Sequence, residues 1–204
     1  MTVSPASSSG SLSSTSSAID AACDAMTFWL RGLPEWPKHP TNPSGSVSSN
    51  YGATILSEAD CVLHFARFLN QVGVPWEDQH LEFSPGAWML SGAPNPPRVD
   101  LAIMPRERLL RANLPVATRE FAIDAALEFA LASNYWKFGS GGPKKIRDKV
   151  LADIDKVAAY LDRGLAKSGY VVVIEECDHR FPPGLEERTR TESGVELRIL
   201  RQEP

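Results

Sequence analysis

The stretch that decides the fold is FAIDAALEFALAS, residues 121–133. Ala, Leu and Glu are strong helix formers, and Ile123, Leu127 and Leu131 would line one face of a helix. Read as a strand, Phe121, Ile123, Leu127, Phe129 and Leu131 share one face, and Asp124, Ala126, Glu128 and Ala130 share the other. Local propensity favours the helix by a narrow margin. In either form Glu128 stands among Leu127, Phe129, Ala126 and Ala130, and an acid in such company carries a desolvation cost unless a cation, a hydrogen bond or water meets it.

Downstream, the glycine-rich turn FGSGGP leads into KKIRDKVLADIDKVAAYLDRGLAKSG, a long predicted helix. Pro143 suits its first turn, Ile146, Val150, Ile154, Val157 and Leu161 form its core stripe, and Gly169 is expected to end it. YVVVIEEC (170–177) then reads as a buried strand from its continuous Val and Ile content, and VELRIL (195–200) as a half-buried terminal strand.

Upstream, LSEADCVLHFARFLNQVG is the best helix of the first half, with Ser57 as cap, Asp60 three residues on, and Gly73 as stop. QHLEF (79–83) and PRVDLAIM (97–104) follow as strands, the second with Val99, Leu101 and Ile103 on one face and Arg98, Asp100 and Ala102 on the other. An Arg-rich linker, 106–119, completes the path to the deciding stretch. The order of elements points to a mixed α/β domain.

The chain has 204 residues, 21 Lys+Arg against 25 Asp+Glu, and a formal charge of −4. No apolar run reaches the ~18–20 residues of a membrane helix. Three dispersed cysteines, Cys23, Cys61 and Cys177, form no CxxC pair, which argues against a disulfide scaffold or structural zinc and for a reducing, cytoplasmic home. Nine serines and no charge in residues 1–17 give a tail too polar to bury a core, so it is expected to be disordered. Residues 18–50 read as a short amphipathic helix, stopped at Pro34, and a Pro/Gly/Ser-rich connector; the remaining 51–204 form the α/β domain.

Three acids stand out by position: Glu58 in a helix's first turn, Asp100 on the polar face of a strand, and Glu128. Each has a plain explanation. The helix dipole favours Glu58, and Glu128 could pair with an arginine or face solvent at a sheet edge. The chemical reading is a hard-cation site, since Mg2+ is commonly held by one or two carboxylates plus substrate phosphates.

Together these residues resemble the PD-(D/E)XK nuclease superfamily, the restriction-endonuclease-like fold. The resemblance rests on Glu58 in LSEADCVLHF, Asp100 in RVDLAI, Glu128 in AALEFALAS, and the helix and strand that follow, and covers roughly 57–177. It implies a mixed central sheet flanked by helices, with the ambiguous segment as central strand. It further implies phosphodiester hydrolysis with Mg2+ or Mn2+, Asp100 and Glu128 as metal ligands, Glu58 as the helix-borne acid, and nucleic acid, most simply DNA, as partner. A dimer is compatible with it.

The resemblance is incomplete at the motif itself. The (D/E)-X-K positions read Glu128, Phe129, Ala130, so the lysine is absent. Its replacement is expected from Lys137 in the loop, or from Lys144 or Lys145 at the next helix start, where a phosphate would relieve their conflict with the helix dipole. The alternatives are that these are solvated surface lysines, and that the domain is catalytically silent and only binds nucleic acid or a protein. Residues 135–149 carry five basic residues against one acid, and 98–119 five against two, so positive stretches bracket the acids despite the negative total. Tyr135, Trp136 and Phe138 could stack on bases or pack the loop. His64 reads as a packing or surface residue, and Cys177 with His179 lacks a second pair at metal spacing.

Overall fold

A computed structural model describes residues 10–33, 57–84, 98–111, 122–132, 142–175 and 188–201. The ambiguous segment is a strand. β3 (Ala125–Leu131) is buried along its whole length, with helices over both of its faces. Burial on both sides removes the alternation that marks a half-exposed strand, which is why its sequence reads as helical.

Five further strands complete the sheet: β1 (Gln79–Phe83), β2 (Val99–Ile103), β4 (Gly169–Glu175), β5 (Arg188–Arg190) and β6 (Glu196–Arg201). Their spatial order is β1-β2-β3-β4-β6-β5. β2 runs antiparallel to both of its neighbours, β1 and β3, whereas β3, β4 and β6 are mutually parallel, and β5 turns back on β6. β1 matches its predicted bounds, and β5 had no signal in the sequence.

Helices α1 (Gly10–Arg31) and α2 (Glu58–Gln71) cover one face. Ile19, Met26 and Leu30 of α1 and Phe65 and Leu69 of α2 pack there against Leu101, Leu127, Phe129 and Val172. Phe65 meets Phe129 edge to face with ring centroids 5.2 Å apart, a favoured aromatic geometry. The expected tail boundary at residue 17 does not hold. α1 runs back into the serine-rich stretch, starting at Gly10. The connector 34–50 lies outside the described residues.

α2 starts as its sequence implies. Ser57 Oγ accepts from the Asp60 backbone N–H, and Asp60 Oδ2 accepts from the Ser57 N–H at 2.8 Å, a closed capping box. Gly73, at φ +100°, follows the helix in the left-handed region that glycine enters without steric cost. His64 stacks on Trp29 with centroids 4.1 Å apart, joining α2 to α1. The Arg-rich linker begins as a short helix, α3 (Arg106–Arg111).

α4 (Gly142–Asp162) covers the other face. Its Ile146, Val150, Val157 and Tyr160 pack over Ala102, Ala126, Ala130, Val171 and Val173. Three alanines beneath the helix let it approach closely. The helix stops at Asp162, with Gly164 at φ +66° just beyond it, not at Gly169 as the sequence led us to expect. Gly169 instead opens β4 beneath the helix, where an added Cβ would lie 2.3 Å from Val157 Cγ1. Gly169→Ala is therefore expected to cost about 1–3 kcal/mol by overpacking. Urea denaturation measures it, and a second change, Val157→Ala, should recover part of the loss.

Candidate active site

The β2–β3 ladder ends at the pair Leu101↔Leu127. One step further, where Asp100 and Glu128 would face each other, side chains take over from the backbone. The Phe129 N–H donates to Asp100 Oδ2 at 2.8 Å, and the Asp100 N–H reaches Glu128 Oε1 at 3.3 Å. β2 and β3 thus fork, and the two carboxylates are cross-laced in the fork. β1 is irregular at the same level. Its pairing with β2 skips from Leu81↔Leu101 to Phe83↔Val99, and the intervening Glu82, opposite Asp100, adopts φ +49°. A non-glycine residue in that region stores strain of the kind that gathers at functional sites.

Glu58, the first residue of α2, brings a third acid to the fork, its Oε1 3.7 Å from Lys149 Nζ. The edge of β3 that β2 vacates is satisfied at Phe129 by Asp100. The three acids singled out in the sequence come together, drawn from α2, β2 and β3.

The described residues bring two lysines to the acids, neither of them a candidate from the sequence. Lys137 lies outside the described residues, and Lys144 and Lys145 stand exposed in the first turns of α4. The ammoniums that reach the acids belong to Lys149 and Lys156, deeper in the same helix. Lys149 Nζ donates to the Phe129 carbonyl at 3.2 Å and to Asp153 Oδ2 at 2.6 Å, and lies 3.7 Å from Glu58 Oε1. Lys156 Nζ lies 2.7 Å from Glu128 Oε2 and 4.0 Å from Asp153 Oδ1. Its approach to Glu128 is off the hydrogen-bonding direction, so the contact is one of charge and Oε2 stays a buried oxygen with no directed donor.

Asp153 is a fourth acid, 2% exposed, that sequence reading missed. The signal was present, because Lys149, Asp153 and Lys156 recur at helical spacing beside the core residues Val150 and Val157. Ala130 is equally explained. It is fully buried under α4, so a lysine there would have no room, and the helix lying over that position carries the ammoniums instead.

Four carboxylates, Glu58, Asp100, Glu128 and Asp153, thus share two ammoniums. Burial shows in the acidity of three of them. Burial and the Asp100 charge push Glu128 from an ordinary 4.5 up to about 8, against the pull of Lys156. Burial likewise raises Glu58 and Asp153. For Lys149 burial acts downward, but the Asp153 hydrogen bond and the surrounding carboxylates outweigh it and hold the ammonium charged.

A consequence for stability follows from these directions. Folded Glu128 keeps its proton where the unfolded chain has lost it, so its contribution is full below pH 4.5 and disappears as pH rises toward about 8. In EDTA, stability is expected to fall across that window with a slope of up to about 1.4 kcal/mol per pH unit. Thermal melts from pH 5 upward measure it, and Glu128→Gln, which cannot ionise, should flatten the profile.

Among the described residues, no group of three or more His, Cys, Asp or Glu side chains is arranged to hold a metal ion unaided. The donor set that does exist is a pair of strand-borne carboxylates, hard oxygens suited to Mg2+, and one of them ends in a buried oxygen lacking a directed donor. Two carboxylates complemented by substrate phosphate are a usual Mg2+ arrangement, so the residues fit the ion in that form.

Of the basic stretches, Arg108 is committed to structure: it donates to Asp124 Oδ1 at 2.7 Å, where Lys167 also binds at 2.8 Å. Arg98, Arg106 and Arg147 are exposed. Tyr135, Trp136, Phe138, Cys177 and His179 lie outside the described residues. No helix among the described residues is long and apolar enough to cross a membrane. Compared with known families, curated proteins and solved structures, the chain has no match.

Proposed function

We propose that this chain is a Mg2+-dependent phosphodiester hydrolase of the PD-(D/E)XK type acting on nucleic acid, DNA first among the substrates to test. The observation that carries the reading is the fork of β2 and β3, where Asp100 and Glu128 are cross-laced and Lys149 donates to the carbonyl of Phe129, the central residue of the motif. The element sequence α2-β1-β2-α3-β3-α4-β4 supports it, with the acids at the positions the resemblance assigns. Lys149 takes the part of the absent motif lysine, replacing Lys137, Lys144 and Lys145 in that role.

Asp100 and Glu128 are the residues that would hold the cation. The chemistry it supplies when bound is Lewis-acid stabilisation of charge on the scissile phosphate and acidification of water. Lys149 adds a fixed positive charge beside the motif, and such pre-set charges act strongly in a site shielded from water. Glu58 and Asp153 hold that ammonium in place from two sides. The exposed Lys144, Lys145 and Arg147 at the start of α4 offer charge to a phosphate backbone leading to the fork.

The second reading, a silent module that binds nucleic acid, is favoured by one observation: an ammonium already stands 2.7 Å from Glu128 Oε2. Incubating the protein with supercoiled plasmid and with single strands, in Mg2+, Mn2+ or EDTA, separates the two. Nicking in either metal, absent in EDTA and in Asp100→Asn, is the expected result. Retained binding without cleavage in any metal would establish the silent module instead.

A further inference from the structure

Lys156 is an unusual neighbour for a metal ligand. Its ammonium lies 2.7 Å from Glu128 Oε2, where a cation serving Glu128 would have to bind, although that oxygen receives no directed hydrogen bond from it. Glu128 is wholly buried, and an unneutralised carboxylate there would be costly. The lysine side chain is about a quarter exposed, at 23%, and a second carboxylate, Asp153 Oδ1, waits 4.0 Å from the ammonium. The ammonium therefore has both a path outward and a partner to receive it, one helical turn back on α4.

Resting on the reading that Asp100 and Glu128 hold a divalent cation, we propose that Lys156 is a resident competitor for that position, occupying it in the metal-free protein and giving way toward Asp153 when the cation binds. The arrangement lets the fold form without metal and sets a threshold of Mg2+ concentration below which the site stays closed. Lys149 has no such role. It is held by the Phe129 carbonyl, Asp153 and Glu58 together, and of the two ammoniums it is that of Lys156 which pairs with Glu128.

Isothermal titration of Mg2+ into the intact protein tests this without any turnover. Lys156→Met keeps the side-chain length and removes the charge, and is expected to tighten Mg2+ binding at least ~10-fold, because a like charge no longer opposes the ion. Lys167→Met, which removes a lysine paired with Asp124 away from the fork, should leave the affinity unchanged, and Asp100→Asn should abolish binding. If Lys156→Met loses its helical circular dichroism, Lys156→Gln carries the same expectation. Affinity equal or weaker in the Lys156 variant, with binding still lost in Asp100→Asn, overturns the competitor role and leaves the metal site standing. No heat in the wild type or in either Lys156 variant overturns both.

Discussion

Glu128→Gln is expected to reduce metal-dependent cleavage by ~10³-fold or more, on the scale seen when a pre-organised electrostatic group is lost from an active site. The same change should raise stability at neutral pH, because only the wild-type unfolded chain gains there by ionising residue 128. Glu128, with its acidity shifted to about 8, already carries its proton there, and glutamine keeps the oxygen that accepts from the Asp100 N–H. Loss of activity with a raised melting temperature separates a chemical role from a structural one. Plasmid nicking and a thermal melt on the same preparation measure both.

Lys149→Met is the second large effect, and it should strike activity and stability together. Activity is expected to fall ~10²–10³-fold through loss of the fixed charge. Stability should fall by roughly 2–4 kcal/mol, because Asp153, almost completely buried, loses its closest cation. The double variant Lys149→Met with Asp153→Leu removes the stranded charge as well, so stability should return while cleavage stays low. If cleavage returned with stability, Lys149 would be a structural tether and not a catalytic group.

The sequence made the three acids legible and hid their cations, for one physical reason. Glu58, Asp100 and Glu128 each sit at a local landmark: a capped helix start, the polar face of an alternating strand, and an acid in an apolar run. Lys149, Asp153 and Lys156 have no such landmark. They lie inside a helix whose apolar stripe draws attention to Ile146, Val150 and Val157, and their role depends on how α4 crosses the sheet. That crossing is set by Ala102, Ala126 and Ala130 on the strands below, residues distant in the chain. The lysines at the helix start are visible in the sequence as a charge run, and those further along it are not.

β3 illustrates the opposite failure. AALEFAL has good helix formers throughout, and no periodicity separates its two faces because both are buried, one by α1 and α2 and the other by α4. Tertiary packing overrides propensity there. Helix α1 was underestimated for a related reason: its serine-rich first turns have little intrinsic drive to order, but continue a helix whose Ile19, Cys23 and Met26 are anchored in the core.

The central claim is that the fork of β2 and β3 holds a divalent cation between Asp100 and Glu128. Electron paramagnetic resonance of Mn2+ titrated into the protein tests it most directly, since free and bound ion give distinct signals. One bound Mn2+ per chain, displaced by Mg2+ and lost in both Asp100→Asn and Glu128→Gln, is the predicted result. Binding that survives both substitutions, or no bound ion at millimolar Mn2+, would contradict it.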